Sequence, residues 1–229
     1  VTSSEDSQVA AEPTTYRQAR YQLPHKATEI LLVRHGESAP AVIGEPFPLV
    51  DGHGDPPLAP EGMVQANRVA THLVKARIDA VYVTTLQRTV QTAAPLAARL
   101  GLTPTVCADL REVYLGEWEG GLFRQRVAQN DPIAIRMRAE QRWDAIPGGE
   151  PIAALSARVR RGIERIAAAH PDQRVAVFTH GGVIGQIIAE ATGCGPFAFA
   201  GADNGSISSV VVTETGWLVR AYNNISHLA

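Results

Sequence analysis

Apolar runs of strand length alternate with stretches of helical period along most of this chain. The runs at 29–34, 79–84, 103–108, 174–179, 206–213 and 217–222 predict strands. Apolar positions recurring every three or four residues predict helices over 60–77, 86–100, about 121–143, 152–170 and 182–191. Gly101 and Gly193 stand where helix C-caps are expected, and Pro60 suits a first turn. The last two strands are joined through TETG, a hairpin signal. Strand and helix in alternation is the βαβ rhythm of a mostly parallel sheet. The expected fold class is therefore α/β: a single-domain three-layer α/β/α sandwich with a C-terminal antiparallel hairpin. The stretch from Ala39 to Pro60, APAVIGEPFPLVDGHGDPPLAP, is too rich in proline and glycine for a regular element and predicts a long functional or mobile loop.

Composition narrows the picture only a little. A chain of 229 residues with 45% hydrophobic content can bury one sizeable core, so a single domain is expected over 29–229, after a polar, disordered tail at 1–28 that does not read as a signal peptide. A formal net charge of -2 gives no global basic field, so neither nucleic acid nor a membrane is the expected partner, and any anion site must be local. The two cysteines, Cys107 and Cys194, are far apart and lack metal-ligand spacing. They offer no zinc framework, read as buried thiols, and fit a reducing compartment, the cytoplasm.

Candidate chemistry begins where the first apolar run ends. ILLVRHGES passes from a buried strand straight into Arg34, His35, Gly36 and Glu37. The later run RVAVFTHGGVI repeats the arrangement with His180, Gly181 and Gly182, and VYVTTLQRTVQTA delivers Arg88 early in the next helix. In open α/β sheets ligands bind beyond the carboxyl ends of the strands, and all these residues fall there. Glycine beside each histidine lets backbone N–H groups approach a ligand, and a helix N-terminus favours an anion. Taken singly, a strand-end histidine is usually a hydrogen-bonded structural residue and Arg88 a solvated helix residue. Their shared position in separate βα units points instead to a pocket for a phosphoryl group or a similar oxyanion.

With LLVRHGES, DPPLAPEGMVQA, TTLQRTVQTA, LREVYLGEWEG, PGGE and VFTHGGVI in this order, the chain resembles the histidine phosphatase superfamily, branch 1, the phosphoglycerate-mutase-like group, over roughly 30–222. The resemblance implies phosphoryl transfer through a phosphohistidine, with His35 as nucleophile and His180 as partner imidazole. Arg34, Arg88, His180 and Gly181 would bind the phosphate, and Glu112 would serve as proton shuttle. Neighbouring Arg34 and Arg88 would keep His35 unprotonated near neutral pH. No metal and no cofactor is implied; the expected partner is a small phosphorylated substrate, with room for a homodimer.

Mutases of the group carry an asparagine where Ala41 stands and a longer basic segment after their acid. Hydrolysis of small phosphorylated metabolites is therefore the expected activity, mutase-type transfer the alternative, and a catalytically idle binding protein a more distant one. A variable helical cap is expected at about 121–147. Its stretch 122–143 holds five arginines, which could bind a second anionic group, although Arg138 and Arg142 are spaced for one exposed helix side. His53 is a further pocket candidate.

Overall fold

The run after residue 27 forms β1 (Thr28–Arg34), a strand buried on both faces because alternate residues feed separate cores. The computed structural model describes residues 15–229. After β1 come a short pair, β2 (Leu49–Val50) and β3 (His53–Gly54), then α1 (Pro60–Leu73), β4 (Ala80–Val83), α2 (Gln87–Leu100) and β5 (Thr105–Val106). The second half runs α3 (Leu122–Ala128), α4 (Pro132–Glu140), α5 (Ile152–Ala169), β6 (Arg174–Thr179), α6 (Gly181–Thr192), β7 (Ile207–Thr213) and β8 (Gly216–Asn224).

The six-stranded sheet has the order β5-β4-β6-β1-β7-β8. The first four strands in that order are mutually parallel, and β7 and β8 close the sheet antiparallel. Ile30, Leu32, Val175 and Val177 pack with Leu155, Ile163, Ile184 and Ile187 of α5 and α6. Leu31, Val33, Ala176 and Phe178 pack on the opposite face with Val69, Leu73, Ala93 and Leu96 of α1 and α2. Helices on both faces explain why β1 and β6 read as continuous apolar runs rather than alternating ones. The fold is the expected single α/β domain with a C-terminal antiparallel hairpin.

Several boundaries differ from expectation, each for a local reason. The helix expected over 121–143 is two helices: Asn130 takes a positive φ of 53°, and Asp131 caps α4 by accepting from the Ile133 N–H at 2.8 Å. Pro132 then occupies the first turn, so Asp-Pro is a stop and a restart. Arg142 consequently lies beyond α4 and does not share a helix side with Arg138. The helix expected over 60–77 stops at Leu73, where the Ala76 N–H turns back to the Leu73 carbonyl at 2.9 Å. The strand expected over 103–108 keeps only two residues before a 3-10 turn at Ala108–Leu110.

The segment 39–60 is not wholly irregular, since β2 pairs with β3 around Asp51 and Gly52, both at positive φ. Asp-Gly is the two-residue hairpin signal, here hidden among prolines. Of the expected tail, residues 1–14 lie outside the described residues; Ala27 and Thr28 are already buried, so the domain begins slightly earlier than expected. Cys107 is buried as expected, but Cys194 is only half-buried; both thiols are free. Among the described residues no helix is long and apolar enough to cross a membrane.

A third apolar cluster stands apart from the sheet. Trp118, Ala134, Met137, Ala145 and Ile146 form its centre, with Leu115, Phe123, Trp143 and Phe197 packed against them. The segment containing α3 and α4 thus has a small core of its own.

Candidate active site

Strand pairing brings the two histidines together. Arg34 of β1 is in register with Thr179 of β6, and the His35 N–H donates to the Thr179 carbonyl at 3.0 Å. The residue after each partner is a histidine, and the rings of His35 and His180 stand 5.2 Å apart, edge to face. On the far side of β6 lies β4, whose following helix α2 sends Arg88 back across the strand ends. Arg88 Nε–H donates to His35 Nε2 at 3.3 Å, and its Nη1 donates to the Gly54 carbonyl at 2.9 Å. Its counter-charge is Asp55, 3.9 Å away and equally buried. Gly36, between His35 and Glu37, has no room for a side chain: a Cβ there would lie 2.5 Å from the Gly62 carbonyl oxygen at the start of α1.

The tautomer of His35 follows from its neighbours. Nδ1 lies 2.8 Å from the Gly36 carbonyl, which only accepts, so the ring hydrogen is on Nδ1. A guanidinium only donates, so Nε2 presents its lone pair. Burial, reinforced by the Arg88 and Arg34 charges, holds the His35 imidazole well below the usual histidine range. The main cause is desolvation rather than the two cations, which come second and third. His180 is lowered well below that range too, by burial first and then by Arg88. Its Nε2 meets the Thr84 hydroxyl at 3.0 Å. Burial also lowers Arg34 and Arg88, against the pull of Glu112 on each.

Two buried polar atoms beside His35 have no partner: Arg34 Nε and His180 Nδ1. Buried nitrogens of this kind are costly to leave unpaired: Arg34 Nε–H can only donate, and His180 Nδ1 donates when it carries the ring hydrogen, so both suit an oxyanion. The glycines after His180 explain how the charged side chains fit. A Cβ on Gly181 would meet Arg34 Nε at 3.3 Å, and one on Gly182 would press to 2.8 Å from Glu112 Oε1 and 2.7 Å from Val113. Lack of space for a side chain is thus one reason for glycine at both positions.

Arg34, His35, Arg88 and Glu112 line one cavity of about 260 Å³, together with His53 and an aromatic wall. His180 is fully buried behind them. His53 is nearly buried, with Nδ1 3.1 Å from the Asp51 carbonyl and its ring 5.3 Å from Tyr114. A second opening reaches Arg34 and His35 from the other side, past Glu37, Ser38, Ala41 and Asn204. Of the five arginines in 122–143, Arg124 alone lines either opening. Arg126 pairs with Asp131, Arg142 with Glu140 and Asp144, and Arg136 donates to the Ala145 carbonyl. Among the described residues no group of three His, Cys, Asp or Glu side chains could hold a metal ion.

Several residues assigned no role from the sequence alone support the site. Thr92 Oγ1 accepts the Gly36 N–H at 3.0 Å, and Asn204 Nδ2 donates to the His35 carbonyl at 2.9 Å. Glu119 accepts from the Gly54 N–H at 2.7 Å and the Leu115 N–H at 2.9 Å, holding the residue whose carbonyl accepts from Arg88. Arg158 of α5 donates to the carbonyls of Asp109, Arg111 and Glu112 at 2.8, 2.7 and 3.0 Å, and is itself gripped by both oxygens of Glu150. Thr92, Glu119 and Glu150 lie within the segments TTLQRTVQTA, LREVYLGEWEG and PGGE singled out in the sequence; Asn204 and Arg158 have no such signal and depend on contacts between residues distant in the chain.

The buried histidines have a consequence for stability. Their folded pKa values lie below the unfolded value of about 6.5, so the unfolded chain binds more protons in acid. The stability they contribute is present above that value and lost as pH falls through the folded values. The urea midpoint is expected to drop as pH is lowered from 6.5, and less steeply in His35→Asn, by a slope corresponding to about one proton. Equilibrium unfolding across that range checks it; an unchanged slope would mean that His35 is already solvated in the folded state.

Comparison with known proteins gives the chain's relatives. The model of the "Histidine phosphatase superfamily (branch 1)" matches residues 30–225. Phosphoglycerate mutase-like protein 4 of Arabidopsis thaliana is 38% identical over 160 residues, covering 68% of this chain and 67% of that protein. The metal-independent phosphoserine phosphatase of the same plant is 32% identical over 212 residues, covering 89% and 84%. The solved structure of a mycobacterial glucosyl-3-phosphoglycerate phosphatase superposes with a TM-score of 0.71 at 25% identity, covering 86% of this chain and 99% of that one.

Proposed function

The chain belongs to branch 1 of the histidine phosphatase superfamily and is a phosphatase, and we propose that it hydrolyses small phosphomonoesters in two steps through a phosphohistidine at His35. The observation that carries this reading is the neutral His35 with its lone pair on Nε2, bordered by the unpartnered Arg34 Nε and His180 Nδ1. A tetrahedral oxyanion beside Nε2 accounts for both orphans.

In the first step His35 Nε2 attacks phosphorus, the bond to the ester oxygen breaks, and Glu112 gives its proton to the departing alkoxide. Arg34, Arg88, His180 Nδ1–H and the Gly181 N–H hold the phosphoryl oxygens as charge shifts onto them. The scheme requires the Thr84 hydroxyl, 3.0 Å from His180 Nε2, to donate to that nitrogen, which puts the ring hydrogen on Nδ1 facing the phosphoryl group. In the second step the Glu112 carboxylate takes a proton from water, which attacks phosphorus and releases neutral His35 and inorganic phosphate. Arg158 holds the Glu112 backbone in place for both steps. Ala41 lines the second opening and brings no amide to the phosphoryl group, which favours water over transfer to another substrate hydroxyl. The two free thiols favour the cytoplasm as its compartment.

Since side chains supply all the positive charge in this scheme, turnover is expected to survive exhaustive EDTA treatment, and vanadate is expected to inhibit competitively. Loss of activity with chelator that a divalent ion restores would contradict the scheme. Arg88→Ala should weaken vanadate inhibition by about tenfold or more, because it removes a donor to the same oxyanion.

A further inference from the structure

We infer that the alcohol part of the substrate is an aromatic or similarly apolar group rather than a small charged one. This rests on the phosphohistidine reading of the site and adds what lies beyond the phosphate. Next to the reactive cluster the cavity is walled by Phe47, Leu115, Trp118, Phe123 and Trp143. The rings come from three places in the chain: the loop before β2, the 3-10 turn at Gly116–Trp118 with α3, and the turn after α4. Three of the rings form one run, with Trp118 and Phe123 centroids 6.3 Å apart and Phe123 and Trp143 centroids 6.2 Å apart.

The charged groups on this wall are both tied to neighbouring parts of the chain. Glu119 is engaged through one oxygen by the Gly54 N–H and through the other by the Leu115 N–H. Arg124 donates Nη1 to the Ala39 carbonyl and Nη2 to the Ser38 hydroxyl, both at 2.7 Å, and its guanidinium lies 5.3 Å over the Phe47 ring. A carboxylate or an ammonium on the alcohol would lose its hydration against the rings and could be met only by drawing Arg124 or Glu119 from the bonds they already make. A ring would bury apolar area and meet three aromatic partners at favourable geometry. The cavity, about 260 Å³, is at the small end of ligand sites, which fits one compact alcohol and not a polymer.

The test must separate binding of the alcohol from its leaving ability. 3-Phenylpropyl phosphate and propyl phosphate have alcohols of closely similar acidity and differ in the ring; O-phosphoserine adds the charged comparison. The expected result is that kcat/KM for the phenylpropyl ester exceeds that for the propyl ester by about tenfold or more, with O-phosphoserine no better than the propyl ester. Phe47→Leu, in a loop, and Phe123→Leu, in α3, should each narrow the phenylpropyl-to-propyl ratio severalfold. Equal rates on the two esters, a preference for O-phosphoserine, or a ratio untouched in both variants would overturn the inference while leaving the phosphohistidine intact. Failure to hydrolyse any of the three esters would count against the phosphatase reading beneath it as well.

Discussion

Replacing His35 by alanine is expected to lower turnover on every phosphoester by on the order of 10⁴-fold or more, because it removes the atom to which the phosphoryl group is transferred. Nothing nearby can take over. His180 is fully buried behind His35, with Nε2 engaged by Thr84. The charge-stabilising groups remain in that variant, so phosphate and vanadate should still bind. Measuring kcat/KM together with vanadate affinity separates the two roles: activity lost with binding retained is the expected pair. A variant that turns over within about tenfold of the parent would end the phosphohistidine reading.

The second large effect concerns Glu112, and it depends on the leaving group. Glu112→Gln preserves size and hydrogen bonding but cannot give up a carboxyl proton. Alkyl phosphates, whose alcohols leave poorly, should lose about 10²–10⁴ in turnover, the usual range for general acid-base catalysis. On p-nitrophenyl phosphate the first step should suffer much less, whereas the second step still lacks its base. Pre-steady-state traces are then expected to show a burst of nitrophenol followed by slow release of phosphate. Arg88→Ala should differ, slowing both ester types about equally by roughly 10²–10³, since charge on the phosphoryl oxygens must be stabilised whatever the leaving group. If Glu112→Gln hydrolyses alkyl phosphates at the parental rate, the acid is another carboxylate, and Asp55 and Glu37 are the next to test.

Much of this was legible in the chain because the informative residues lie at strand ends. The apolar run before Arg34 and the one before His180 fix two strands, and residues just past such ends gather at one edge of the sheet. That placed Arg34, His35, Arg88 and His180 together from local patterns alone. What escaped was set by contacts distant in sequence. Arg158 reads as an ordinary helical arginine until α5 is seen to pack beside the Glu112 segment. Arg124 was one of five arginines with nothing to separate it, and only the turn at Gly121 and the break at Asn130 aim it toward Ser38 rather than solvent. The Asp131-Pro132 break and the Asp51-Gly52 hairpin were local signals, but the helical period of 121–143 and the prolines of 39–60 outweighed them. The tight fit at Gly182 was likewise hidden, because the Glu112 carboxylate that a Cβ there would strike is distant in sequence.

The most direct test of the central claim is chemical trapping of the intermediate in Glu112→Gln, where slow dephosphorylation should let it accumulate. The variant is mixed with phosphate-labelled p-nitrophenyl phosphate, quenched in alkali, and its peptides are mapped. A label approaching one per chain, stable in base and lost in acid, is expected on Nε2 of His35. An absence of covalent label during the nitrophenol burst, an acid-stable phosphoester, or a label carried by His180 would contradict it.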